Sequence, residues 1–205
     1  VTPPIEKKHE NTLSPLDKLL WAVIGLLLTI SGVFIEVALP LPQLTWPIDW
    51  SQFHTYSLGV TLQVGVVLLV GCMAGRDVAI LSQVAYLALG LSGFQIFAQG
   101  GGLSYLTQPN FGYLLGFLPA AALCGYLAFR QRRRLENFMM SCLWGLLVVH
   151  VVGLVYLSSL CLLRITAVNW WSAVLMYSIY PLPGQFIVAC TIAVFAYLLR
   201  ILLLY

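Results

Sequence analysis

Apolar residues in this chain do not alternate with polar ones. They run together in six blocks, about 16–39, 57–74, 78–91, 111–129, 138–163 and 185–203, separated by short polar or glycine- and proline-rich breaks. A helix that crosses a bilayer needs about 20 apolar residues, and in lipid an open sheet edge goes unsatisfied. The pattern therefore predicts an all-α polytopic membrane protein. It would be a single six-transmembrane-helix bundle over residues 16–205 with pocket-forming extracytoplasmic loops, behind a polar tail at residues 1–15. Ser14-Pro15-Leu16-Asp17 reads as a helix start: a serine cap, proline at the first helical position and an acid in the first turn. No small-residue cleavage site follows, so the first block reads as a span, not a removed signal peptide.

Composition sharpens this. Of 205 residues, 60% are hydrophobic and 8% charged, with a mean hydropathy of +0.93. Soluble domains carry about 25% charge, so a large soluble domain is excluded. The net charge of +3 does not point to nucleic acid, because the basic residues sit at span boundaries. With six spans, Lys7, Lys8, Lys18, Arg76, Arg200 and the run from Arg130 to Arg134 share one side, leaving Arg164 opposite. The excess of cations inside puts both termini in the cytoplasm. The basic run could also meet anionic lipid, although a cytoplasmic boundary suffices to explain it.

Polar groups inside apolar blocks are costly when unpartnered. Gln63 and Gln83 either bridge helices or line a cavity. His150 reads as a hydrogen-bonded structural residue, with a proton relay as the other reading. Gly25, Thr29 and Gly32 set small side chains along the first span, where another helix could come close. Glu36 either reaches the headgroups or faces a cavity.

The segment Gly90 to Phe117 is neither a span nor an ordinary polar loop. Gly100, Gly101 and Gly102 permit tight turning and close approach. Phe94, Phe97, Tyr105 and Phe111 surround them with the amides of Gln95, Gln99, Gln108 and Asn110. Such a mixture suits a small, largely apolar ligand with a few polar atoms, or a folded loop capping a bundle. The linker from Arg164 to Pro183, rich in Trp and Tyr, suggests a partial helix folded on the bundle. Trp46, Trp50 and Phe53, before the second span, are interfacial anchors or further pocket walls. All three segments fall on the outer side.

Enzyme chemistry finds no footing. There is no Ser/His/Asp set, no paired carboxylates and no phosphate-binding loop after the triple glycine. His54 lacks partners at metal spacing, and Cys72, Cys124, Cys142, Cys161 and Cys190 read as small packing residues with no metal-ligand spacing.

Several motifs together resemble the BioY family, the membrane-embedded substrate-binding subunits of energy-coupling-factor biotin transporters. They are Val60-Thr-Leu-Gln63, Gly75-Arg76, Tyr86-Leu-Ala-Leu-Gly90 with Gly93, and Phe97-Ala98 with the glycine triplet. Gln108-Pro-Asn-Phe-Gly-Tyr-Leu-Leu-Gly-Phe117 and, more weakly, Tyr180-Pro-Leu-Pro-Gly184 complete the set. The resemblance implies six helices and biotin captured from outside at a prokaryotic plasma membrane. It implies a transmembrane coupling subunit and two ABC-type ATPases as partners, or self-association, so that ATP acts only through the partners. No covalently held cofactor and no metal is implied.

By the same resemblance, Tyr86, Gln99, Gly100, Gly101, Gly102, Asn110 and Gln185 form or border the ligand pocket. Ala22, Gly25, Thr29 and Gly32 offer small surfaces for partner docking, without the family's paired-alanine spacing. The chain departs from the family pattern where an aspartate and, three residues on, a lysine face biotin: here stand Gln185 and Val188. Arg164 is one candidate for the missing cation. The contrasting reading is a structural or assembly subunit of another membrane complex, or a binding subunit for a different small ligand.

Overall fold

The computed structural model describes residues 14–43, 49–130, 132–166 and 169–203, with the backbone alone for 41–43 and 49–54. The expected tail and Trp46 lie outside them, apart from Ser14 and Pro15.

Helix α1 (Pro15–Phe34) starts where the sequence predicts. The Ser14 hydroxyl accepts from Asp17 N at 3.2 Å, and the Asp17 carboxylate accepts from Ser14 N at 3.2 Å, forming a reciprocal capping box. Then comes a departure. The end of the first expected span, the loop after it and the start of the second span form an antiparallel hairpin, β1 (Glu36–Gln43) with β2 (Asp49–Thr61). Leu62 N donates to Ile35 O at 2.9 Å and closes its base. Pro40 and Pro42 stop a helix there but are tolerated on a ribbon edge. A two-stranded ribbon leaves edge groups that hydrocarbon cannot satisfy, so this hairpin belongs outside the lipid core. Glu36 is exposed at its base.

Helix α2 (Gln63–Ala74) follows at once, and α3 (Arg76–Leu91) after a turn at Gly75. Every residue of α2 except Leu69 is buried. This explains its apolar character all round: it is the centre of the bundle. Next come a 3-10 turn (Leu103–Thr107), α4 (Phe111–Arg130) and α5 (Leu135–Leu162). The second unusual linker becomes a short helix α6 (Trp170–Val174) and a π turn (Leu175–Ile179), leading into α7 (Leu182–Leu203). Helix α4 packs along α5, while α2 touches α1, α3, α4, α5 and α7.

Among the described residues, four stretches are long and apolar enough to cross a membrane: α1, α4, α5 and residues 170–203. The chain is thus an all-α fold with apolar helices of a polytopic membrane bundle, plus one hairpin. Helix α2, with 12 residues, reaches about 18 Å, because β2 takes the residues that would lengthen it.

The two intramembrane glutamines resolve differently. Gln83 is fully buried and bridges α3 to α1, its Nε2 donating to Thr29 Oγ1 at 3.2 Å, while its Oε1 has no partner. Gln63 Nε2 donates to Tyr86 Oη at 2.7 Å, joining α2 to α3. The small residues of α1 face the same way. Ala22, Gly25, Thr29 and Gly32 are all buried, and a Cβ on Gly25 would lie 2.8 Å from Ser82 Oγ. This stripe is filled by α2 and α3, whereas the outward face of α1 carries Leu16, Leu20, Leu27 and Phe34.

Candidate functional site

A cleft of about 240 Å³ opens at the end of the bundle that carries the hairpin. Its walls come from seven places. Thr61 ends β2, Gln63 opens α2, Ala98 and Tyr105 come from the loop after α3, and Asn110, Tyr113 and Phe117 from the start of α4. Val149 of α5, Met176 and Tyr177 of the π turn and Gln185 of α7 complete the cleft. The size suits a small ligand, just below the range of drug-sized pockets. No charged side chain lines it among the described residues; its polar groups are amides and hydroxyls.

Asn110 sits at the mouth of α4. Its Nδ2 donates to Tyr105 Oη at 2.8 Å, while its buried Oδ1 has no hydrogen-bond partner. Burial pushes the Tyr105 phenol up from its ordinary value, against the lowering hydrogen bonds from Asn110 and the Gln99 backbone, so it stays a neutral hydroxyl. The Tyr105 ring stacks on Phe97 with centroids 4.7 Å apart, and Phe97 meets Tyr86 edge-on at 5.2 Å.

The glycine triplet borders the cleft through its loop. Gly100, Gly101 and Gly102 do not line the cleft; they pin the loop that does. Gly100 and Gly102 adopt φ +114 and +91, which favour glycine. Gly102 N donates to Gly90 O at 2.7 Å, and Phe97 and Gly100 exchange backbone hydrogen bonds at 2.9 and 3.1 Å. A Cβ on Gly101 would collide with the Phe94 carbonyl and lie 2.9 Å from Gly90 O. The triplet thereby holds Ala98 and Tyr105 in the cleft wall, with Phe97 buried against Tyr86 and Tyr105. Gln99 is exposed, and Tyr86 is buried behind Gln63, reaching the cleft through that amide. Asn110 and Gln185, of the expected set, stand in the wall itself.

Behind Gln185 runs a chain that the sequence could not reveal. His150 Nε2 lies 2.8 Å from Gln185 Oε1, its Nδ1 lies 3.3 Å from Ser178 Oγ, and Ser178 Oγ lies 2.6 Å from Tyr113 Oη. A neutral imidazole has one donor and one acceptor nitrogen. One consistent direction has Tyr113 donating to Ser178, Ser178 to His150 Nδ1, and His150 Nε2–H to Gln185 Oε1. Gln185 then keeps its amide N–H groups for the cleft. Four residues from α4, α5, the π turn and α7 meet here, and only His150 stood out by residue type.

Val188, one turn beyond Gln185, does not enter the cleft wall. It is 3% exposed and packs on α2, where a Cβ at Gly65 would lie 2.6 Å from its Cγ1. Arg164 is exposed with φ +53 and does not line the cleft.

The family model described as the BioY family matches residues 7–203. The chain belongs to the BioY family. BioY membership makes it a transport component, not an enzyme. A probable biotin transporter BioY of Lysinibacillus sphaericus is 34% identical over 151 residues, covering 73% of this chain and 67% of that protein. An uncharacterized 21.2 kDa protein of Cyanophora paradoxa is 29% identical over 182 residues, covering 89% and 94%. The crystal structure of the S-component for biotin from an ECF-type ABC transporter superposes with a TM-score of 0.66 at 20% identity. It covers 90% of this chain and 91% of its own, and so agrees in fold with this BioY chain.

Proposed function

We propose that this chain is the membrane-embedded substrate-binding subunit of an energy-coupling-factor transporter and that it captures biotin in the cleft between the hairpin and the glycine-rich loop. One observation carries the ligand reading: the buried Asn110 Oδ1 in the cleft region has no partner. A buried acceptor left unmade costs about 1–3 kcal/mol, and a ligand N–H that satisfies it recovers that cost. Biotin's ureido ring brings two N–H donors and one carbonyl on a compact apolar bicycle. The carbonyl suits the amide N–H of Gln185, and the aromatic rings over the cleft suit the bicycle. An uncharged wall gives the valerate carboxylate no cation, so the ring points inward and the carboxylate toward the open mouth.

In this reading the bundle is one domain over residues 16–205. Its six spans include α2 and α3 as short central helices, both termini are cytoplasmic, and the cleft opens outward. Charge placement supports that orientation, with Lys18, Arg76 and Arg130 on the side opposite the cleft. A coupling subunit with two ABC-type ATPases, or a second copy of the chain, would meet the outward apolar face of α1. Tyr86, Gln99 and the glycine triplet then act by shaping the loop, with Asn110 and Gln185 touching the ligand.

The test is calorimetric titration of biotin into detergent-purified full chain, beside an Asn110→Ala variant. One-to-one binding, weakened in the variant, is the expected result. No binding at micromolar biotin by folded protein refutes the ligand reading and favours an assembly subunit or another small ligand.

A further inference from the structure

Three thiols that the sequence scatters over 70 positions meet in the centre of the bundle. Cys72 of α2, Cys124 of α4 and Cys142 of α5 are each fully buried. Cys72 Sγ lies 3.4 Å from Cys124 Sγ and 3.7 Å from Cys142 Sγ, and all three sulfurs fall within 4.8 Å of one another. Buried cysteine usually acts as a small apolar residue, and packing alone accounts for any one of them.

A second observation does not reduce to packing. Arg200 of α7 is only 5% exposed and meets Ala128 and Phe138, which lie one helical turn from Cys124 and Cys142 respectively. Its Nη1 donates to Ala128 O at 3.0 Å, and its guanidinium carbon lies 3.9 Å from the Phe129 ring centroid and 5.4 Å from that of Phe138. Its Nε is buried without a partner, and no carboxylate pairs with it among the described residues. A buried cation without a counter-charge is costly, and aromatic faces offset only part of it.

We propose that Cys72, Cys124 and Cys142 form a trigonal thiolate site for a thiophilic divalent d10 cation, with Arg200 balancing its charge. Zinc–thiolate bonds of about 2.3 Å place three sulfurs around one ion about 4.0 Å apart, so the sulfurs need only sub-ångström shifts. On binding, three S–H protons leave to solvent and three metal–sulfur bonds form, without redox change. The complex carries charge −1, which the guanidinium offsets. Thiolates, not thiols, are the ligands, and they select soft ions. Because none of the three is exposed, the ion enters as the helices assemble. The site lies away from the ligand cleft and does not depend on the biotin reading.

The experiment expresses the full chain in medium containing Cd²⁺ and purifies it under reducing conditions in detergent. Bound cadmium per chain is measured with the ultraviolet thiolate-to-cadmium charge-transfer band. The expected result is one Cd²⁺ per chain, with the band lost in Cys124→Ser and in Cys72→Ala. Arg200→Met keeps the packing and loses the charge, and should lower retention tenfold or more in competition with a chelator. Folding of each variant is checked by near-ultraviolet circular dichroism. Folded wild-type protein without the band, a band that survives Cys124→Ser, or retention unchanged in Arg200→Met overturns the proposal.

Discussion

Gly101→Ala tests how the loop makes the cleft. The added Cβ runs into the Phe94 carbonyl and lies 2.9 Å from Gly90 O. Both obstacles are backbone, so no side chain can swing aside, and the loop itself must lift from α3. Lifting breaks the 2.7 Å bond from Gly102 N to Gly90 O, worth about 1 kcal/mol, on top of about 1–3 kcal/mol for overpacking. Phe97, Ala98 and Tyr105 ride on that loop, so the penalty falls on the conformation that holds ligand. If about 2 kcal/mol of it enters binding, biotin affinity falls about thirtyfold. Calorimetry gives the affinity, and hydrogen exchange over residues 94–108 reports whether the loop has opened while the helices stay protected. Wild-type affinity with unchanged exchange would refute the argument, because it would mean the loop absorbs the collision without moving.

Asn110→Ala removes the unpartnered acceptor at the cleft and should weaken biotin about tenfold by calorimetry, since a bond of about 1–2 kcal/mol goes. An amide of biotin, its carboxylate neutralised, should bind within about threefold of biotin, because no cation lines the cleft among the described residues; a loss of a hundredfold would place a cation there. Val188→Lys restores the family's residue but forces an ammonium against Gly65 in the core. Its thermal melting should show a loss of about 3 kcal/mol or more, and tighter biotin binding at unchanged stability would contradict the placement of Val188. Gln83→Leu removes an orphaned amide oxygen together with two long bonds from Nε2, to Thr29 and to Ser82, and should leave the melting temperature unchanged or raised.

Hydropathy made the helices legible, because lipid imposes length and apolarity on each span separately. It misplaced the ends of the first two. Val37 and Leu39 are as apolar as any span residue, and nothing local says that residues 36–61 pair with one another. Local chemistry marked the start of α1 and the turning of the glycine triplet. What the triplet turns against is the end of α3, a contact that no local pattern marks. The family resemblance singled out Asn110 and Gln185, and both stand in the cleft wall. The Tyr113–Ser178–His150 chain was not, since its members stand 28 to 65 positions apart. The same holds for the small residues of α1: their spacing announces a close helix neighbour, yet cannot say whether it belongs to this chain or to another.

The cleft wall begins at Gly59 and is finished only by Gln185, so no early portion of the chain can build it. During synthesis, α1 through α5 leave the ribosome without the residue that His150 is to hold. Ligand binding therefore reports on the insertion of the last helix. A chain stalled before α7 would hold most of its bundle but lack Gln185, and with it one wall of the cleft.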